Sequence, residues 1–156
     1  METSSPKIPG WVGAIGIVVG GIFAVLALFF LIQLIPFGKD HTNPPVVSEP
    51  KWDSPDTRAL AKRACFDCHS NETVWPWYSN IAPISWMVAI DVVDGRDTLN
   101  FSDWTPIPGL RTDAIGGSIL EGDMPPGSYL IQHPDARLTT EEAQKLADGL
   151  AKSLAP

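Results

Sequence analysis

Cys65-Phe66-Asp67-Cys68-His69 places two thiols three positions apart, with an imidazole directly after the second. On a helical turn, positions three apart face the same side. Both sulfurs can then add across the two vinyl groups of one haem, and the adjacent imidazole can reach its iron from the proximal side. A structural zinc ion would need a fourth ligand, such as His133, and adjacent Cys and His is not usual zinc spacing. A redox dithiol belongs in a strand–helix–strand setting, and no such alternation flanks this one. Covalent attachment of one haem c through Cys65 and Cys68 is the reading that uses all three side chains. It also takes up both cysteines of the chain, so no disulfide is expected elsewhere.

Iron that only carries electrons wants a second axial ligand from Met or His. The candidates are Met1, Met87, Met124, His41 and His133. Met1 and His41 precede the globular part. Met87 falls in an apolar helical stripe beside Trp86, where methionine ordinarily packs. Met124 sits in Gly122-Asp123-Met124-Pro125-Pro126-Gly127, where proline stiffness can hold a thioether in place. The expected iron ligands are therefore His69 and Met124. His133 stands second, with a hydrogen-bonding role near the pocket as its other reading, and an open sixth position stands third.

The elements that must position these groups read as helices. Ser54, Pro55 and Asp56 begin one, which runs through Leu60 and Ala64 into the cysteine motif. Arg58, Lys62 and Arg63 project from it, as a solvated face or a docking face. A loop rich in rings follows, Trp75-Pro76-Trp77-Tyr78. Pro83 can start a helix through Trp86 and Val93, with Gly95 as its stop. Thr112 and Asp113 can cap a short helix to Leu120. Residues 122–127 read as a loop. The last helix carries a capping box, Thr139 and Glu142, and an apolar stripe of Ala143, Leu146, Ala147, Leu150 and Leu154. No segment alternates as a strand, so the fold class is all-α.

At 156 residues the chain has room for one small domain with attachments. Its net charge of −7 argues against nucleic acid as a partner. Six Trp suggest a core finished by large rings, as a domain wrapped around a flat cofactor needs.

Residues 1–10 are a short polar tail. Residues 11–35 are apolar apart from Gln33 and carry no charge. About 25 residues at ~1.5 Å each give ~37 Å of helix, enough to cross a ~30 Å hydrocarbon core. No Ala-x-Ala follows, so an uncleaved, single-pass anchor is expected rather than a removed signal. Gly10, Gly13, Gly16, Gly20 and Ala24 recur every three or four residues, which would let a partner helix approach closely. The other reading is that glycines are simply common in membrane helices. Residues 36–51 contain four prolines and read as an extended, semi-rigid linker. The globular domain is expected over 52–156.

A helix ending in C-x-x-C-H, a Met-Pro about 55 residues later and a capped terminal helix resemble a monohaem cytochrome c. The match is closer to the small bacterial haem-binding-domain cytochromes. It is carried by Cys65-x-x-Cys68-His69-Ser70-Asn71-x-Thr73, Trp75-Pro76-Trp77-Tyr78, Ala82-Pro83-x-Ser85-Trp86, Gly95-Arg96, Leu99-Asn100-Phe101-Ser102, Met124-Pro125, Tyr129, His133 and the final helix. It spans about 52–154 and leaves out the anchor and linker. The resemblance implies a cytochrome c-like helical haem domain on the periplasmic side of a bacterial cytoplasmic membrane. It also implies that His69 gives its second ring proton to a backbone carbonyl near Pro83. Trp75, Trp77, Tyr78 and Trp86 are expected to wall the haem, or to pack as ordinary core. Arg96 or a Trp ring nitrogen is expected to hold a propionate, with an exposed surface arginine as the other reading.

Taken together, these readings imply single-electron transfer, with no catalytic residue and no small-molecule substrate. The expected partners are redox proteins and a membrane-embedded respiratory or photosynthetic complex met through the glycine-rich helix. A peroxidase-like or gas-binding haem with an open sixth site, and a haem that serves only as a structural staple, are the alternatives.

Overall fold

A computed structural model describes residues 10–155; residues 1–9 of the expected tail, with Met1, lie outside them. The first helix, α1 (Gly10–Ile32), carries no charged side chain and stands free of the rest. Within it Gly13–Ile32 reaches a mean hydropathy of 2.9, long and apolar enough to cross a membrane.

Ser54 then caps α2 (Pro55–Ala64) by accepting from Thr57 N–H at 3.1 Å, with Pro55 at the first position. The short α3 (Phe66–His69) follows directly and bears the motif. A single 3-10 turn, Trp77–Asn80, precedes α4 (Ile84–Thr98). After it come α5 (Thr112–Leu120), α6 (Gly127–Gln132), a second 3-10 turn at Pro134–Ala136, and α7 (Thr140–Ser153). Thr139 and Glu142 close the expected capping box on α7. Among the described residues there is no strand, only an isolated bridge between Ser48 and Asp103.

Helix α7 packs on α5 and α2, and α3 packs on α4. The core between them is Ala61, Phe66, Leu99, Phe101, Ile119, Leu146, Leu150 and Leu154. Phe66 and Phe101 stack at 5.5 Å, with Trp52 tilted 5.3 Å from Phe101. Such ring pairs add roughly 0.5–1.5 kcal/mol each beyond their area.

Three expectations shift. Gly95 does not stop α4, which runs three residues further, to Thr98. The glycine serves a close approach instead: a Cβ there would lie 2.5 Å from Cys68 O. Residues 127–132 form α6, because Pro126 supplies an extended entry and the following residues close a helical turn onto it. Finally, residues 39–51 are extended but not free. They run along the domain as a strap. Asn43 bonds Thr73 O at 2.9 Å, Pro45 O accepts from Asn71 at 2.8 Å, and Ser102 O accepts from Val47 and Ser48 N–H. His41 stacks on Trp75 at 4.5 Å.

The basic residues of α2 are paired rather than bare. Arg58 meets Glu49, Lys62 meets Glu72 at 3.2 Å, and Arg63 meets Glu142 at 2.7 Å. Exposed pairs of this kind contribute about 0–1 kcal/mol each.

Candidate functional site

Between the cysteine motif, α4, α5 and the Met124 loop lies a cavity of about 360 Å³. Cys65, Cys68 and His69 line one side, and Met124, Pro125, Pro126 and Tyr129 line another. Ile115, Ile119, Leu99 and Phe101 supply apolar wall, while Asp91 and Asp94 stand on α4. Four residues that the sequence pointed to, spread over 60 positions from 65 to 124, therefore meet on one space.

The imidazole of His69 is held by its Nδ1, which lies 2.9 Å from Gly95 O and 3.0 Å from Leu99 O. Two carbonyls can only accept, so Nδ1 carries the hydrogen. The neutral ring then leaves Nε2 with a free lone pair, the form a metal needs. The acceptors are thus on α4 and its C-terminal edge, not near Pro83. The reason is that α4 packs against α3 along Gly95, whereas Pro83 sits one residue before the helix begins.

Cys65 and Cys68 are both free thiols. Burial pushes Cys65 up to about 12, with Cys68 adding to it. Burial and then Asp91 and Asp67 push Cys68 up to about 11, against a smaller opposing effect of Arg96. Burial outweighs the one positive neighbour, Arg96, so neither thiol is held as a reactive thiolate of the kind dithiol redox work needs. No group of three or more His, Cys, Asp or Glu among the described residues has the arrangement of a metal cluster.

Met124 is 43% exposed, and its N–H is held by Ser118 O at 3.0 Å. His133 is engaged elsewhere. Its Nε2 lies 2.7 Å from the Tyr78 hydroxyl, and its ring stacks on Tyr129 at 4.2 Å. Tyr129 in turn donates to Asp67 Oδ2 at 2.7 Å, and burial with this carboxylate drives its phenol well above the ordinary range. Met87 is exposed on α4 rather than packed, and His41 lies in the strap.

The ring-rich loop does not line the cavity. Trp75 stacks on His41 outside it, Trp77 faces outward, and Tyr78 reaches His133. Trp86 turns its Nε1 into a buried position with no partner among the described residues. Pro83 is exposed before α4. Arg96 donates to Ser70 O at 2.8 Å and to Asn43 and Thr73, each at 2.9 Å, so it binds strap and motif loop together. The wall comes instead from Phe101 and Tyr129, and from Leu110, Ile115 and Ile119. Phe101 and Tyr129 were visible only as members of the family resemblance, with no role attached.

The donor set fits a haem: an apolar slot, two thiols at one edge, and an imidazole whose tautomer is fixed by its neighbours. The family model described as a haem-binding domain matches residues 27–152, and the chain belongs to that family. It is a haem-binding protein. The match starts inside α1, well before residue 52, in keeping with a strap that is part of the domain. No curated protein and no solved structure matches the chain.

Proposed function

We propose that the chain is a membrane-anchored monohaem cytochrome c that passes single electrons. The reading is carried by the meeting of four donors on one cavity: Cys65, Cys68, His69 with its lone pair on Nε2, and Met124. Cys65 and Cys68 would hold the haem as thioethers, each S–H adding across one vinyl group with no leaving group, and His69 Nε2 and Met124 Sδ would be its iron donors, with Gly95 O and Leu99 O keeping the imidazole oriented. The apolar wall of Phe101, Ile115 and Ile119 excludes water from that space. Haem held this way supplies a one-electron iron couple of fairly high potential, because a thioether ligand raises it. His133, the distal acid or base that the sequence offered, is engaged by Tyr78 and stacked on Tyr129 instead. This favours electron transfer over peroxidase chemistry.

Helix α1 is the anchor, and the haem domain lies on the periplasmic side of a bacterial cytoplasmic membrane. A Cβ placed on Gly13, Gly16 or Gly20 meets nothing within 4 Å, which leaves a smooth track for a neighbouring helix of a larger electron-transfer complex. The test is an absorption spectrum of the purified, folded full-length chain, with a second sample extracted with acidified acetone. A folded spectrum that is low-spin and ignores carbon monoxide and peroxide, and porphyrin that stays with the polypeptide after extraction, are the expected results. Extractable porphyrin removes the covalent reading, and rapid binding of carbon monoxide turns the assignment to a ligand-binding haem.

A further inference from the structure

We infer that the corner where α1 ends and α4 begins beds into the headgroup layer of the membrane, so that the haem domain lies against the bilayer in one orientation. The inference rests on the membrane-spanning reading of α1 given above.

Gln33 is the residue just past α1. Its Nε2 donates to Ala82 O at 2.9 Å, and its Oε1 accepts from Ala82 N–H at 2.9 Å. The same amide nitrogen bonds Phe29 O, one turn back on the anchor helix, at 3.0 Å. Lys39 Nζ donates to Gln33 O, which folds the chain back at this point. Gly38, at φ +73°, then passes so close that a Cβ would lie 2.5 Å from Ser85 O in the first turn of α4. The end of the span is thus bonded to Ala82, just before α4, and the chain after it passes close against the first turn of α4. The domain does not hang from it by a loose chain.

Around this fastening the surface is apolar. Leu34 is 78% exposed, Phe37 54%, Trp77 74% and Ile84 46%. Scattered exposed apolar residues are ordinary, but these four belong to the segments that the Gln33–Ala82 pair joins. Residues 74–90 hold no Asp, Glu, Lys, Arg or His, whereas 91–97 hold Asp91, Asp94, Arg96 and Asp97. An uncharged segment carrying a tryptophan, held at the exit of a span, has the chemistry of the lipid interface. The occupant is therefore lipid, and the acidic remainder of the domain faces water.

The full-length, haem-loaded chain is placed in phospholipid bilayers that contain a lipid with a photoreactive diazirine near the glycerol, and adducts are mapped by mass spectrometry. Expected are adducts on α1 and on peptides within 74–90, the latter ~tenfold above those on α7. The double variant Trp77→Glu, Ile84→Glu lowers the 74–90 yield ~tenfold while the α1 yield holds. Adducts on α1 alone, or spread evenly over α5 and α7, overturn the inference and leave the spanning helix standing. Two chains per particle with 74–90 unlabelled assigns the corner to a second copy and also overturns it. Adducts absent from α1 sink the spanning reading itself.

Discussion

Tyr129 reaches back 62 positions to donate its phenol hydrogen to Asp67 Oδ2 at 2.7 Å. Asp67 is one of the two residues between the cysteines, and Tyr129 lies in the first turn of α6, just after the Met124 loop. The bond therefore ties the two sides of the cavity to each other. Asp67 also receives Val74 N–H at 3.0 Å, and its backbone carbonyl receives the Thr73 hydroxyl at 2.8 Å. Replacing Tyr129 with Phe should cost ~1.5–3 kcal/mol, as for a hydrogen bond to a charged group. The midpoint of chemical denaturation should fall accordingly, with haem content retained. Because the folded phenol titrates above its ordinary value, the stability linked to it is fully present below about pH 10 and declines above that. The Phe variant should lose that alkaline decline.

Met124→Ala should lower the reduction potential by on the order of 0.1 V, within the ~0.8 V that axial ligands span. It should also open the iron to carbon monoxide, read by titration and by absorption spectra. His133→Ala should leave the potential nearly unchanged and reduce stability instead, since its partners are Tyr78 and Tyr129.

Without haem, both thiols titrate higher in the fold than the ordinary 9.0, Cys65 at about 12 and Cys68 at about 11. A raised folded value means that the associated stability is present below pH 9 and is lost as pH climbs toward 11–12. The unloaded full chain should therefore weaken as pH rises from 9 toward about 11 more than the loaded chain, whose sulfurs are thioethers on our reading. Denaturation at several pH values checks this. A Cys65→Ser, Cys68→Ser chain should share the flatter profile.

Gly95→Ala should push α4 off the motif, because the new Cβ would meet Cys68 O at 2.5 Å. Overpacking of this kind costs ~1–3 kcal/mol, and His69 loses the register of its Nδ1 acceptors. Both a lower melting temperature and a lower yield of haem-loaded protein are expected.

Local signals carried well from sequence to structure. Ser54 with Pro55, and Thr139 with Glu142, are caps written within four residues, and both helices begin where those residues put them. The cysteine motif and Met124 could be named because each side chain has few chemical uses. What stayed hidden depends on distant partners. Ring content marked Trp75, Trp77 and Trp86 as important, but it does not say which face of a loop turns inward. That was decided by the strap, whose His41 covers Trp75 from 34 positions away. The acceptors of His69 lie 26 and 30 positions downstream, and no periodicity encodes such a pairing. Helix α6 was masked by Pro126-Gly127, a pair that reads as a turn yet here begins a helix.

The strap has a practical consequence for anyone who wants a water-soluble version of the protein. A cut at Trp52, just before α2, would strip Asn43, Pro45, Val47, Ser48 and Glu49 from their places. Thr73 O, Asn71, Ser102 O and the Arg58 guanidinium would each lose a bonding neighbour at once. An expression boundary after Gly38 keeps those neighbours and gives up the greasy stem together with the paired Gln33–Ala82 bonds.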